Sequence, residues 1–210
     1  MIVAIDGAST DLSVAIAAPD GRLVAHDAWR SAQRQSAELA PHLVALLAAN
    51  GHAVRDISAL AIGTGPGSFT GLRVAMALAK GLAVALHRPI VGVPSLTAWL
   101  AAAPDSVAAV ARAGAREAYL LERGADVIRL VDAGALDAVR DAVLVAPTEL
   151  AEAFGLRRAI APNAAAAIAA RAATRLAEAP GGDDPGTLEP IYLRAPRGVE
   201  VATEASVRWL

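Results

Sequence analysis

The chain has 210 residues, with 19 basic and 21 acidic side chains and a formal net charge of −2. An apolar content of 55% against 19% charged residues excludes intrinsic disorder, and the near balance of charge makes the chain alone a poor electrostatic match for a nucleic-acid backbone. Cysteine is absent, which excludes a disulfide framework, a thiolate metal site and a cysteine nucleophile.

Residues 1–6 lack the basic-then-apolar order of a secretion signal. The most apolar region, 72–100, is broken by Arg73, Lys80, His87, Arg88, Pro89 and Pro94, so no run of about 18 apolar residues marks a membrane span. The expectation is a soluble cytoplasmic protein with no membrane partner. There are 54 alanines, 18 arginines and one lysine, Lys80. With few aromatics, the core must be built from Ala, Val, Leu and Ile at close backbone approach.

In chain order, residues 1–6, 11–18 and 23–27 read as three antiparallel strands, the last two joined by the turn Pro19-Asp20-Gly21-Arg22. Leu39, Leu43, Leu46 and Leu47 give 31–50 a helical period that stops at Asn50-Gly51, and Pro41 must start or kink that helix. A strand at 57–63, a loop at 64–67, a helix at 68–86, a strand at 90–93 and a helix at 95–103 follow. Pro104-Asp105 marks a boundary. Beyond it, strand-like runs at 107–111, 118–122, 127–131 and 142–145, a helix start at Pro147-Thr148-Glu149 and a helix at 163–179 repeat the first half in weaker form. The expected fold class is α/β, two lobes with mixed sheets and crossover helices. The lobes are expected at 1–103 and 104–195, with a tail at 196–210.

The loop from Gly63 to Arg73, GTGPGSFTGLR, follows a strand and opens a helix, a place where backbone N–H groups meet anions. It has no Gly-Lys-Ser/Thr ending, so it is not a P-loop. Gly65-x-Gly67 is followed by Thr70 rather than Gly or Ala, with no acid about 20 residues on, so it is not a dinucleotide fingerprint. The bland alternative is a tight turn with Ser68 or Thr70 as a helix cap. The four histidines form no His-x-x-x-His pair, and Gly-x-Ser-x-Gly is missing.

The block GTGPGSFTGLRVAMALAKGLA closely resembles the signature of the TsaB (YeaZ) family, the dimerisation subunit of bacterial tRNA threonylcarbamoyladenosine synthesis. IVAIDGASTDLSVAI at the start, RPIVGVPSL after the helix and PIYLR at 190–194 agree. The match is strong over about residues 1–100 and scattered to 194. It departs at Arg34-Gln35-Ser36-Ala37-Glu38, where the family often has Arg-x-His-Ser-Glu, and in the polar turn around Arg112–Arg116. The resemblance implies a duplicated actin-like ATPase (ASKHA, RNase H-like) fold.

In such a fold each lobe offers a β-hairpin, usually with an acid, to Mg-ATP. The first lobe has Asp6, Ser9 and Thr10 there; the second has Ala111 and no carboxylate at the matching place. The resemblance therefore implies a pseudo-enzyme with no catalytic residue, no metal and no cofactor. Vestigial ATP or ADP binding would fall to Asp6, Ser9, Thr10, Gly65, Gly67 and Ser68. Asp6 closing an Asx turn is the competing reading.

The helix at 70–86 carries only Arg73 and Lys80 as charges and is apolar nearly all round, so it must be covered on both sides. Burial by its own chain competes with a partner. The resemblance favours a partner interface made of Leu39, His42, Leu43, Leu46, Arg73, Met76, Ala77 and Lys80. The implied partners are a second copy, a TsaD-like catalytic transferase on the same surface, a small TsaE-like ATPase, and tRNA indirectly. The expected role is a scaffold that binds and activates the transferase acting next to the anticodon. An actin-like ATPase or small-molecule kinase is the alternative, and a peptidase is the least supported. Direct tRNA contact would use Arg194, Arg197 and Arg208, or Arg157 and Arg158.

Overall fold

One strand–helix plan is used twice. The computed structural model describes residues 1–193. The first copy runs β1 (Ile2–Asp6), β2 (Asp11–Ala17), β3 (Leu23–Arg30), α1 (Gln35–Ala49), β4 (Ala59–Gly63), α2 (Phe69–Leu86), β5 (Ile90–Val93) and α3 (Ser95–Ala102). The second runs β6 (Ala108–Arg112), β7 (Glu117–Glu122), β8 (Arg129–Asp132), α4 (Ala133–Asp137), β9 (Val143–Val145), α5 (Thr148–Phe154), β10 (Arg158–Ile160) and α6 (Ala165–Glu178). Sheet order is β3-β2-β1-β4-β5 in the first and β8-β7-β6-β9-β10 in the second, the same order twice. In each, the first three strands are antiparallel and the crossover strands parallel. This is the duplicated actin-like plan.

Strand alternation sorts the core into layers. Val3, Ile5, Val14, Ile16, Leu60 and Ile62 face α1 and α2, while Ala4, Ala15, Ala17, Ala59 and Ala61 point to the opposite face. That alanine face meets Ala165, Ala169, Ala172 and Ala173 of α6, so small residues stand on both sides of the contact. Large side chains there would hold the backbones apart. Trp99 of α3 and Ile168 of α6 fill the space towards Ala109, Ala111, Leu121 and Val145 of the second sheet. A separate cluster around Val110, Leu120, Leu144 and Leu150 lies on that sheet's far side, with α4 and α5.

Several expectations change. Helix α1 starts at Gln35, and Pro41 lies inside it on the exposed side. Its predicted opening at 31–34 is a turn in which the Arg34 amide donates to Ser31 Oγ across 3.1 Å. Helix α4 and strand β10 had no expected counterpart, being short and mostly exposed. The larger correction concerns the expected lobe at 104–195. Helix α6 packs on β1, β2, β4 and β5, so it completes the first lobe. The segment after it also returns there: Asp183 bridges to Ile90, and the Ile191 amide donates to the Thr64 carbonyl across 2.7 Å. The expected tail at 196–210, with Arg194, lies outside the described residues.

Helix α2, with 18 residues at a mean hydropathy of 1.5, is long and apolar enough for a membrane span by length and composition alone. Yet it joins two parallel strands of one sheet through short loops, and Leu72, Ala75, Met76, Ala79 and Ala83 are buried against that sheet. Its apolar character serves a layer of the fold.

Polar links fix the halves together. The Asp11 carboxylate of β2 accepts from Thr148 N at 2.9 Å and Thr148 Oγ1 at 3.3 Å, at the start of α5. Ser13 Oγ accepts from Ala165 N at the start of α6 across 3.2 Å. The Arg123 guanidinium binds the carbonyls of Leu100, Ala103 and Ser106 at 2.7–2.9 Å, gripping the segment that leads from α3 to β6.

Candidate functional site

The first hairpin and the glycine loop come together, but they face each other. Asp6, at the end of β1, is 1% exposed. Its Oδ2 accepts from Trp99 Nε1 at 2.6 Å, and its Oδ1 accepts from Ser95 Oγ at 2.9 Å and the Ala8 amide at 3.3 Å. Burial pushes this carboxyl above its ordinary value, and the Trp99, Ser95 and Ala8 donors pull the other way. Ser9 Oγ is spent on the backbone of Asp11, accepting from its amide at 3.1 Å and donating to its carbonyl at 2.9 Å. Thr10 Oγ1 is buried without a partner among the described residues.

The loop amides are spent as well. Gly65 N donates to Ser95 Oγ across 3.0 Å, Ser68 N to the Ala8 carbonyl across 2.7 Å, and Gly71 N to Ser68 Oγ across 3.2 Å. Ser68 is thus the cap of α2. At Gly67 a Cβ would overlap the Ala8 carbonyl, so glycine is required there by the hairpin's close approach. The acid is enclosed by its own donors and the Gly65, Ser68 and Gly71 amides are occupied, so none of these groups is offered to the cleft. Among the described residues no group of three His, Cys, Asp or Glu could hold a metal.

The cleft beyond has other walls. A cavity of about 250 Å³ runs between Ser9, Gly67 and Ser68 on one side and Arg112, Gly114 and Glu149 on the other. A neighbouring one of about 570 Å³ reaches Thr10, Gln33 and Gln35. Arg112 Nε lies 3.4 Å from Glu149 Oε1. Sequence reasoning missed this pair because β6 and α5 meet only in the fold. It also missed Trp99, whose only signal was being a rare aromatic within a short helix.

The expected interface residues divide. Leu39, Leu43 and Met76 point into the core of their own lobe, which corrects their place as surface contacts: the helical stripe they share is the one that faces the sheet. Ala77 and Arg73 are exposed, and His42, Leu46 and Lys80 are half-buried. The outward face also carries Val44 and Val84, 52% and 64% exposed. His42 Nδ1 lies 2.6 Å from Asp27 Oδ2, and its ring stacks on Trp29 at 3.7 Å. Arg73 turns towards the returning segment, its Nε donating to Tyr192 Oη across 3.0 Å with the guanidinium over Phe69. Of the arginines considered for tRNA, Arg157 and Arg158 are exposed, Arg157 beside Asp141 at 3.2 Å; Arg194, Arg197 and Arg208 lie outside the described residues.

Residues 30–178 match the family model described as TsaD, tRNA N6-adenosine threonylcarbamoyltransferase. The tRNA threonylcarbamoyladenosine biosynthesis protein TsaB of Escherichia coli is 40% identical over 96 residues, 45% of this chain and 40% of that protein. The match thus spans less than half the length of that curated relative. An uncharacterized protein of Mycobacterium bovis is 35% identical over 184 residues, covering 84% of this chain and 81% of its own. The solved structure of YeaZ from Pseudomonas aeruginosa superposes with a TM-score of 0.68 at 24% identity, over 91% of this chain and 99% of that one, a likeness of fold. The chain belongs to the family described by that threonylcarbamoyltransferase model, and its named relatives include TsaB proteins of tRNA threonylcarbamoyladenosine biosynthesis.

Proposed function

We propose that this chain is a non-catalytic scaffold that binds and activates the transferase forming N6-threonylcarbamoyladenosine next to the tRNA anticodon. The observation that carries this is Asp6. The acid that would orient metal or water in an actin-like ATPase is consumed by Trp99, Ser95 and Ala8, and it serves the fold. The chain then contributes surface and needs no cofactor of its own.

The surface is the outward side of α1 and α2, with Val44, Ala77 and Val84. Covering each valine contributes on the order of 1–2 kcal/mol. The partners in this reading are a second copy or a TsaD-like transferase, in mutually exclusive use of one face, with a small TsaE-like ATPase and tRNA engaged through the transferase. Activation would come from biasing the transferase's conformation.

Size-exclusion chromatography with light scattering, alone and with the transferase subunit, tests this. Ala77→Glu and Val84→Glu should abolish association and leave the melting transition in place. Met76→Glu would bury a charge and unfold the lobe, so it cannot serve as the probe. Association that survives both surface changes overturns the interface. The ATPase or kinase alternative draws on one observation, the Glu149 carboxylate in the cleft. Mg-ATP turnover by the isolated chain, lost in Glu149→Gln, would establish it in place of the scaffold.

A further inference from the structure

We infer that the larger interlobe cavity, walled by Thr10, Gln33, Gln35, Ser68, Arg112 and Glu149, is a binding site for a small zwitterion of the α-amino acid class. Its volume of about 570 Å³ lies in the range of small-molecule sites, roughly 300–1,000 Å³.

Gln35 carries the first part of the inference. It is only 5% exposed, it lines the cavity, and its side-chain amide has no hydrogen-bond partner among the described residues. The amide is reached from the cavity, to which it offers two donors and an acceptor. Thr10 Oγ1, beside it, is also unpartnered.

Arg112 and Glu149 carry the second part. They approach to 3.4 Å through Nε and Oε1, yet neither side chain hydrogen-bonds any other described residue. Both are about one-third exposed, at 39% and 36%, in the cavity wall. The terminal nitrogens of Arg112 form a fork suited to a carboxylate, and the free Glu149 oxygen suits an ammonium group. The two opposite charges therefore match a ligand that bears both. A polyphosphate would set several negative charges beside Glu149 with one arginine to offset them and no second acid to share a metal, so the wall selects against it. The amide of Gln35 and the hydroxyl of Ser68 remain for a polar side chain.

This site stands apart from the helical association surface, so its failure and the failure of the scaffold reading are separate results. The test is a titration of the full chain, by isothermal calorimetry and by amide NMR shifts, with each of the twenty amino acids in turn. Concentrations on the order of 10 mM detect a millimolar Kd. At least one amino acid should saturate. Its amidated and N-acetylated forms should bind about tenfold more weakly or not at all, a comparison made on the unmodified chain. Arg112→Ala, Glu149→Gln and Gln35→Leu should each weaken it similarly, with circular dichroism confirming the fold. No saturable binding by any of the twenty overturns the assignment. So does equal binding of the blocked forms, or tighter binding of Mg-ADP or inorganic phosphate to the same residues.

Discussion

Trp99 Nε1 and Asp6 Oδ2 are 2.6 Å apart, joined across 93 positions of sequence, and both side chains are buried. This bond ties the middle of α3 to the end of β1 and turns the hairpin acid away from the cleft. Trp99→Phe keeps most of the ring volume but strands one carboxylate oxygen in the core. A hydrogen bond to an ionised group is worth about 1.5–3 kcal/mol, so urea unfolding should show a loss of about 2 kcal/mol. A loss within about 0.5 kcal/mol, the range of ordinary surface changes, would mean the bond is not structural.

Two aspartates should give opposite pH signatures. Burial raises the Asp6 carboxyl, so between its ordinary value near 3.9 and its raised folded value the folded chain holds more protons than the unfolded one. Asp6 therefore withdraws stability as pH rises through that window. Asp6→Asn should gain on the wild type over the same rise. Asp183 is held below its ordinary value: burial opposes this, but the Arg175 guanidinium, at 2.6 Å, and the Gly92 amide, at 2.7 Å, prevail. Its stabilisation is present above pH about 4 and lost as pH falls through the lowered folded value. Asp183→Asn should cost stability at neutral pH and lose that deficit in acid. Urea midpoints from about pH 4 to 8 for Asp6→Asn, and from about pH 2 to 6 for Asp183→Asn, cover the two windows; a curve parallel to the wild type across its own window would refute that variant's assignment.

The first lobe was legible because its signals are local. Short, mostly apolar runs mark β1, β2 and β4, the Pro19-Asp20-Gly21 turn closes its hairpin, and Asn50 and His87 end α1 and α2. Helix α6 was legible as a helix but not as part of the first lobe. Its alanines fit any alanine-lined sheet, and only the three-dimensional closure shows that Ala4, Ala15 and Ala61 are that sheet. Leu39, Leu43 and Met76 mark a helical stripe without saying which way it points. Strand β10 is three residues with two exposed, too little pattern to register. The cleft residues Gln35, Arg112 and Glu149 carry no spacing signal, since each comes from a different element.

Two glycines of one signature block should respond oppositely to alanine. At Gly67 a Cβ would overlap the Ala8 carbonyl, so Gly67→Ala must push the hairpin off the loop, at a cost of about 1–3 kcal/mol. At Gly81, on the exposed side of α2, nothing lies within 4 Å of a Cβ, and Gly81→Ala should stabilise by about 0.5–1 kcal/mol through helix propensity. Thermal melts of the two variants decide this. A neutral Gly67→Ala would show that the hairpin and loop do not pack as described, and would return the loop to the role of an open anion cradle.

Arg123 predicts how firmly the halves are joined. Its Nε and one terminal nitrogen reach the carbonyls of Leu100, Ala103 and Ser106, with Ser106 Oγ a further contact at 3.1 Å. Two of these carbonyls lie at the C-terminal end of α3, where they also accept from the Ala103 and Ser106 amides, and a cation there meets the negative end of the helix. Arg123→Ala should cost about 1–2 kcal/mol, held down because the side chain is partly solvated. Arg123→Lys should recover little of it, since a point charge cannot span carbonyls that a planar fork reaches together. Ser106→Ala should couple to Arg123→Ala by about 0.5 kcal/mol or more in a double-mutant cycle, because the two share partners. Additive losses would mean that Arg123 acts as a general surface charge and that the path from α3 to β6 is held by the packing of Trp99 and Ile168 alone.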